Sequence, residues 1–358
     1  DLPSDKPRFQ ERFGYEFSKL RQETMDWFST QQVILLPFKA GDDQYGYPSL
    51  MVCPSNAAFF ALALANMQGF IPIVDIPEQY VPRSIIYVAP PFRHTHFQGK
   101  QVVVHNRSET LHEVFSYNLY PGPSAKKGVF SVLLDIGEQE GWVCCHASAA
   151  MVETPYENET VFMHEGASGG GKSEMLEDFK READDRLLLG THVVTGEKYY
   201  LSLSESCKIH PIADDMALCQ AQYQDPESGK LMIMDAEAGW FLRMDSMQAY
   251  GNNPMYEKIC IHPPRPLLFF NMDAVPGSTC LIWEHVMDST GQPCTNPRVI
   301  IPRDMVEGIA PAEPQEVSVR SFGVRMPPST AADPNYGVMG MLHVIPPALA
   351  WLWRLVAP

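Results

Sequence analysis

Residues 166–173 read Gly-Ala-Ser-Gly-Gly-Gly-Lys-Ser and fit the pattern G-x-x-x-x-G-K-[ST]. Gly166, Gly169, Gly170 and Gly171, with Ser168 between them, would let successive backbone N–H groups wrap an anion without Cβ clashes. Lys172 would aim a point charge at the β- and γ-phosphates of a nucleoside triphosphate, ATP or GTP. Ser173 would ligate the Mg²⁺ that such a nucleotide carries. The plain alternative is a flexible Gly-rich turn. The flanks argue against it: Thr160-Val-Phe-Met reads as a strand and 174–182 as a helix whose positive end faces the loop. On this reading Lys172→Ala abolishes nucleotide binding and leaves the fold intact, because the lysine buries nothing.

Metal-bound phosphate needs carboxylate company. Lys208-Ile-His-Pro-Ile-Ala-Asp214-Asp215 supplies it, as a strand that ends in two adjacent carboxylates. A solvated Asp-Asp turn is the bland alternative. Downstream of a phosphate loop the pair is read as metal-binding.

The elements that must position these groups follow from periodicity. Phe9, Phe13, Phe17, Leu20, Met25 and Phe28 recur at roughly helical spacing over 8–31. Residues 33–38 read as a strand, 57–67 as a helix, and 70–74 and 84–88 as strands. Pro90 and Pro91 then break the chain. Residues 101–104 read as a strand, 109–117 as a helix, and 128–134 as mixed. From about Gly141 short strands dominate: 142–146, 160–164, 208–212, 231–234, 267–271 and 279–283, with one helix at 173–182. Residues 307–316 are rich in Pro, Ala and Glu and read as an exposed connector.

With 358 residues, 45% apolar and 20% charged, the chain can bury a sizeable core and form two domains. The formal net charge of −16 argues against general nucleic-acid binding, which needs a basic surface. Eight cysteines form no CxxC pair, so a zinc ribbon has no support and reduced core thiols are expected. Residues 1–12 are polar and charged, unlike a secretory leader. The apolar stretch 345–356 is too short to span a bilayer and reads as a buried helix. A cytoplasmic location and no membrane partner are expected. The start without Met suggests a fragment or a processed product.

Several segments together resemble the phosphoenolpyruvate carboxykinases, most closely the ATP-dependent kind. Ala125-Lys-Lys-Gly-Val-Phe-Ser resembles their Lys-Lys-Gly-Met-Phe-Ser segment, and Cys145-His-Ala-Ser-Ala their His-Cys/Ala-Ser-Ala segment. The loop 166–173 resembles their kinase-1 loop and Ala213-Asp-Asp their Gly-Asp-Asp segment. Asn296-Pro-Arg-Val-Ile-Ile-Pro and Phe322-Gly-Val-Arg-Met-Pro-Pro resemble two later segments, and Gly239-Trp-Phe-Leu-Arg243 one that ends in a catalytic Lys. The resemblance implies Lys127, His146 and Asp215 as ligands of a transition metal, typically Mn²⁺. It implies Arg298 on the γ-phosphate and a catalytic set of Lys172, Arg298, Arg243 and Asp214. A neutral lysine, an imidazole and a carboxylate form a mixed N/O set that suits Mn²⁺. Taken singly, Lys127 would be a surface lysine and His146 a core histidine. The whole chain also resembles a carboxykinase-related family described as a domain of unknown function, and the GKSE and ADD segments resemble those of the bacterial HPr kinases.

The chain departs from the carboxykinase pattern in its first third. The family's Gly-Arg-Ser-Pro-Lys-Asp segment is absent, with Asn106-Arg107-Ser108 a partial match and Arg83 and Arg93 as candidates for its carboxylate arginine. Pro121, beside Tyr120, stands where the family has its substrate tyrosine.

The expected fold is therefore α/β and carboxykinase-like, with mixed sheets, a shortened amino-terminal lobe at 1–141 and a P-loop nucleotide-binding lobe at 142–358. The expected function is nucleotide- and metal-dependent phosphoryl transfer to a small carboxylate-type acceptor. Two alternatives stand beside it: a nucleotide-binding regulator that lost the acceptor site, and a protein or amino-acid kinase of the HPr-kinase type.

Overall fold

The computed structural model describes residues 7–90, 96–118, 122–166, 172–176, 182, 184, 186–202, 205–244, 254–272, 281–283, 297–318 and 353–355. The chain is α/β, with several mixed and antiparallel sheets. It divides into two compact units. One comprises residues 1–132 and 268–300; the other comprises 133–267 and 301–358. Where one boundary at 141/142 was expected, the downstream segment 268–300 groups with the first unit.

In the first unit, α1 (Phe9–Phe13) and α2 (Phe17–Ser29) follow the periodicity of 8–31. Gly14 separates them at φ 77°, a left-handed backbone that favours glycine. Leu20, Thr24 and Phe28 of α2 are buried, one stripe at i, i+4 and i+8. A six-stranded mixed sheet receives that stripe. Its strands are β1 (Val33–Ala40), β2 (Tyr47–Pro54), β3 (Gly69–Phe70), β4 (Ser84–Ala89), β5 (Val102–Arg107) and β6 (His112–Tyr117), in the order β3-β1-β2-β4-β6-β5. β2–β4 and β4–β6 are parallel, and the other pairs antiparallel. α3 (Ala58–Met67) buries Phe60, Ala61, Ala63, Leu64 and Met67.

Three local expectations for this unit are corrected. Residues 109–117 are not a helix: 112–117 form β6, buried along its whole length between β4 and β5. Leu111, Val114 and Phe115 satisfy a helical count, yet a central strand buried on both faces loses the polar–apolar alternation that would mark it. The strand expected at 70–74 stops at Phe70. Pro72 has no N–H to give a ladder, and Ile73–Asp75 turns instead. The mixed signal at 128–134 resolves into a π-helical turn, Gly122–Gly128, that leads into α4 (Val129–Glu140).

The second unit stacks short strands. β8 (Ala147–Glu153) lies between β9 (Glu159–Glu165) and β12 (Lys208–Ala213), all antiparallel. A second antiparallel sheet runs β19-β14-β13-β7, with β7 Val143–Cys145, β13 Ala217–Cys219, β14 Met232–Asp235 and β19 Gln315–Glu316. Ala149, Val161, Ile212, Ala217, Cys219 and Ile233 join the two in one core. β10 (Leu187–His192) pairs with β11 (Lys198–Leu201) and β20 (Trp353–Leu355). β15 is Gly239–Arg243 and α5 is Pro254–Ile261. In the segment 268–300, which belongs to the first unit, β16 (Leu268–Phe270) pairs parallel with β17 (Leu281–Trp283) and antiparallel with β18 (Arg298–Pro302).

One further expectation changes here and another is refined. Within the stretch 345–356 read as a helix, 353–355 are strand β20, whose backbone groups are met by β10; the other residues of that stretch lie outside the described ones. The connector 307–316 is exposed at 307, 308, 311–313 and 316, as expected, but is pinned at one point: the Ala310 N–H donates to the Pro211 carbonyl at 2.8 Å, and Ala310 is buried. No helix among the described residues is long and apolar enough to cross a membrane.

Candidate functional site

The second unit draws four sequence-predicted residues together. His146 occupies the junction between β7 and β8, and Asp214 and Asp215 the junction between β12 and β13. β12 pairs with β8 through Ala213 opposite Ala149, and β13 pairs with β7 through Ala217 opposite Cys145. Both strand pairs thus leave one sheet and enter the other at the same level. The crossover residues meet there: His146 Nε2 lies 3.0 Å from Asp215 Oδ1. Lys172 Nζ lies 3.2 Å from the same oxygen and donates to the Gly166 carbonyl at 3.0 Å. The Gly166 N–H in turn donates to the His146 carbonyl at 3.2 Å. A closed ring of contacts therefore runs through residues 146, 166, 172 and 215.

The start of the loop follows from its neighbours. β9 ends at Glu165, opposite Ala147 of β8, so the ladder delivers Gly166 beside His146. Ser173 opens a short 3-10 turn, Ser173–Leu176, with Leu176 buried as its anchor. The helix expected at 173–182 is described over only this turn. Ala167, Ser168, Gly169, Gly170 and Gly171 lie outside the described residues, as do Arg93, Tyr120, Pro121 and the 322–328 segment.

Two details correct the reading of the loop. Lys172 is only 7% exposed, so it is a buried cation and its removal cannot leave the packing untouched. Among the described residues, a Cβ at Gly166 would meet only Lys172 Cγ, at 3.8 Å, an ordinary contact, and the φ of Gly166 is not in the left-handed region.

The other expected residues stand on separate elements. Asp214, beside Asp215, is buried. Arg243 is exposed at the end of β15. Lys127 lies at the end of the π-helical turn in the first unit, where it is exposed while Lys126 is buried. Arg298 opens β18 and belongs to the first unit. Among the described residues no group of three or more His, Cys, Asp or Glu side chains is placed to hold a metal ion.

Sequence reasoning missed a support behind the acidic pair. Arg303 donates from Nε to Asp235 Oδ2 at 3.1 Å, and from Nη2 to the carbonyls of Ile212 and Ala310 at 3.2 and 3.0 Å. Trp240 Nε1 donates to the same Asp235 oxygen at 2.9 Å. This clamp fixes the last turn of chain before Asp214. A Trp five residues after a strand-end Asp carried no motif that could have exposed it. The reduced-thiol expectation holds among the described residues, whose cysteines are free, and burial pushes the Cys144 thiol well above its ordinary range. Cys145 Sγ and Cys219 Sγ lie 3.8 Å apart.

Compared with known proteins, the chain finds no match among the curated ones. A family model described as "Domain of unknown function (DUF4914)" matches residues 1–358. The protein whose strand crossovers bring His146, Lys172 and Asp215 together is thus a member of the DUF4914 family.

Proposed function

We propose that this chain binds a nucleoside triphosphate and a divalent metal ion at residues 166–173, and transfers its γ-phosphoryl group to a small carboxylate-bearing acceptor, in the manner of the carboxykinases its motifs resemble. One observation carries the reading: Asp215 Oδ1 gathers His146 and Lys172 from three separate stretches of sequence, at 3.0 and 3.2 Å. A phosphate-loop lysine against a carboxylate at the end of a strand is the pairing that such chemistry requires.

Two of the proposed ligands support the metal reading in donor chemistry. An imidazole nitrogen and a carboxylate oxygen that already converge form a mixed N/O pair suited to Mn²⁺. His146 and Asp215 would hold that ion, and Ser173 a nucleotide-bound Mg²⁺; Lys127 is proposed as a further ligand on the motif alone. The ions would supply charge neutralisation along the phosphate oxygens. Lys172 is poised to move from Asp215 to a phosphate oxygen, because both partners are anionic and the ammonium needs only one. Arg298 and Arg243 are proposed to meet charge on the transferred group, and Asp214 to orient its neighbour.

Calorimetry with ATP and GTP, each with Mg²⁺ and with Mn²⁺, tests the binding. The wild-type chain should bind, and Lys172→Met should not, with both shown folded by circular dichroism. Equal affinity in both proteins removes the proposal. A screen of carboxylate acceptors for nucleotide-dependent phosphorylation then separates a transferase from a nucleotide-binding regulator.

A further inference from the structure

The strands that deliver His146 and Asp215 also carry two thiols. In the antiparallel β7–β13 pair, Cys145 stands opposite Ala217, Cys144 opposite Leu218 and Val143 opposite Cys219. Alternation across the pleat puts Cys145 and Cys219 on one face as diagonal neighbours and turns Cys144 to the other. The Sγ atoms of Cys145 and Cys219 are 3.8 Å apart, in contact but unbonded. Cys219 belongs to the core, 5% exposed, whereas Cys145 packs on that core and is partly exposed. A small oxidant can therefore reach Cys145, with Cys219 directly behind it.

We propose that Cys145 and Cys219 close to a reversible disulfide under hydrogen peroxide, and that closure weakens the His146–Asp215 contact and with it the binding of metal and nucleotide. The step balances. The peroxide O–O bond breaks and the S–S bond forms. The two thiols give up two electrons and two protons, which leave with the peroxide oxygens as two waters. A dithiol reverses the step by exchange and is itself oxidised.

Closure brings the sulfurs from 3.8 Å to about 2.05 Å. The ladder holds β13 against β7 on one side and β14 on the other, so the shift is taken up at the ends of the short strands. Cys145 is the last residue of β7, bonded directly to His146. A contact of 3.0 Å weakens steeply with a few tenths of an ångström and with misalignment. The sequence neighbours Cys144 and Cys145 offer no competing link, because the pleat parts them. The consequence for ligands rests on the nucleotide reading above; the disulfide itself does not.

The test treats the full chain with hydrogen peroxide, blocks remaining thiols, and maps peptides without reduction. The expected product is a Cys145–Cys219 cross-linked peptide pair, reversed by dithiothreitol and absent from Cys145→Ser and Cys219→Ser. Calorimetry on the closed form should show Mn²⁺·ATP binding weaker by about fivefold or more, the loss of roughly one hydrogen bond. The proposal is overturned if both thiols remain uncross-linked, if Cys144 takes the link instead, or if the closed form binds as the reduced form does. Should the reduced chain bind no nucleotide, the nucleotide reading fails separately. The His146 ring resonances in ¹⁵N-histidine spectra then decide this proposal: they must move on closure, and unmoved resonances overturn it.

Discussion

His146 Nε2 lies 3.0 Å from Asp215 Oδ1, although 69 residues separate the two in the chain. Lys172 shares the same oxygen at 3.2 Å. One carboxylate oxygen thus touches an imidazole nitrogen and a buried lysine nitrogen, tying three distant stretches of chain together.

That shared oxygen makes Asp215→Ala costly to the fold. Breaking a buried ion pair from one side costs roughly 3–5 kcal/mol, here reduced by the Gly166 carbonyl and the other interactions that still meet Lys172. Urea unfolding should show a loss of about 3 kcal/mol for Asp215→Ala. Lys172→Met in that background should recover most of it, since both halves of the ion pair are then gone. Equal stability of the single and double variants would rule out the buried pair as the cause.

Two glycines should respond oppositely to alanine. A Cβ at Gly69 would collide with the backbone carbonyl of Asp42, which cannot swing aside as a side chain would. Gly69→Ala should destabilise by about 2 kcal/mol or more. Among the described residues Gly166→Ala meets only ordinary contact, and it should leave the melting temperature within about 2 °C of wild type. A collapse of Gly166→Ala would place the demand for glycine in the loop's own backbone after all.

Stability should fall in acid through His112. Burial first, and Arg107 second, push its pKa from 6.5 down to about 4. The native state therefore refuses a proton that the unfolded chain accepts. Stability is complete above pH 6.5 and is lost as pH falls toward 4, by up to about 3 kcal/mol. Glu113 acts in the same direction at lower pH: burial raises its carboxyl, but hydrogen bonds from Arg21, Asn106 and Tyr87 outweigh that and hold it below its ordinary value. Unfolding at pH 5 and pH 7.5 for wild type and His112→Gln measures the histidine share. An undiminished pH difference in the variant would reassign it.

Thr24 and Tyr117 make a buried hydroxyl pair at 2.7 Å between α2 and β6, and Thr24 also donates to the Leu20 carbonyl. Thr24→Val would remove this partner of the Tyr117 hydroxyl in the core and should cost about 1–3 kcal/mol by denaturant unfolding. Thr24→Val combined with Tyr117→Phe should cost less than the single change, because the hydroxyl that lost a partner is then removed as well. Strict additivity of the two variants would count against the pair.

Local chemistry alone determined much of this molecule. The aromatic spacing of 8–31 gave α1 and α2, and apolar runs bounded by turn residues gave β1, β9, β12 and β14 within a residue or two. The residues that converge were also legible, because Gly166, Lys172 and Asp215 sit in short patterns whose chemistry is local. What the sequence could not decide was partnership. β6 looked helical because a strand buried on both faces carries no alternation, and only β4 and β5 make it a strand. The expected freedom to delete Lys172 vanished for the same kind of reason: its burial comes from chain far away in sequence. The meeting of His146 with Asp215 needed two strand pairs to change sheets at one level, and pairing between strands is a long-range choice that no window of neighbouring residues contains.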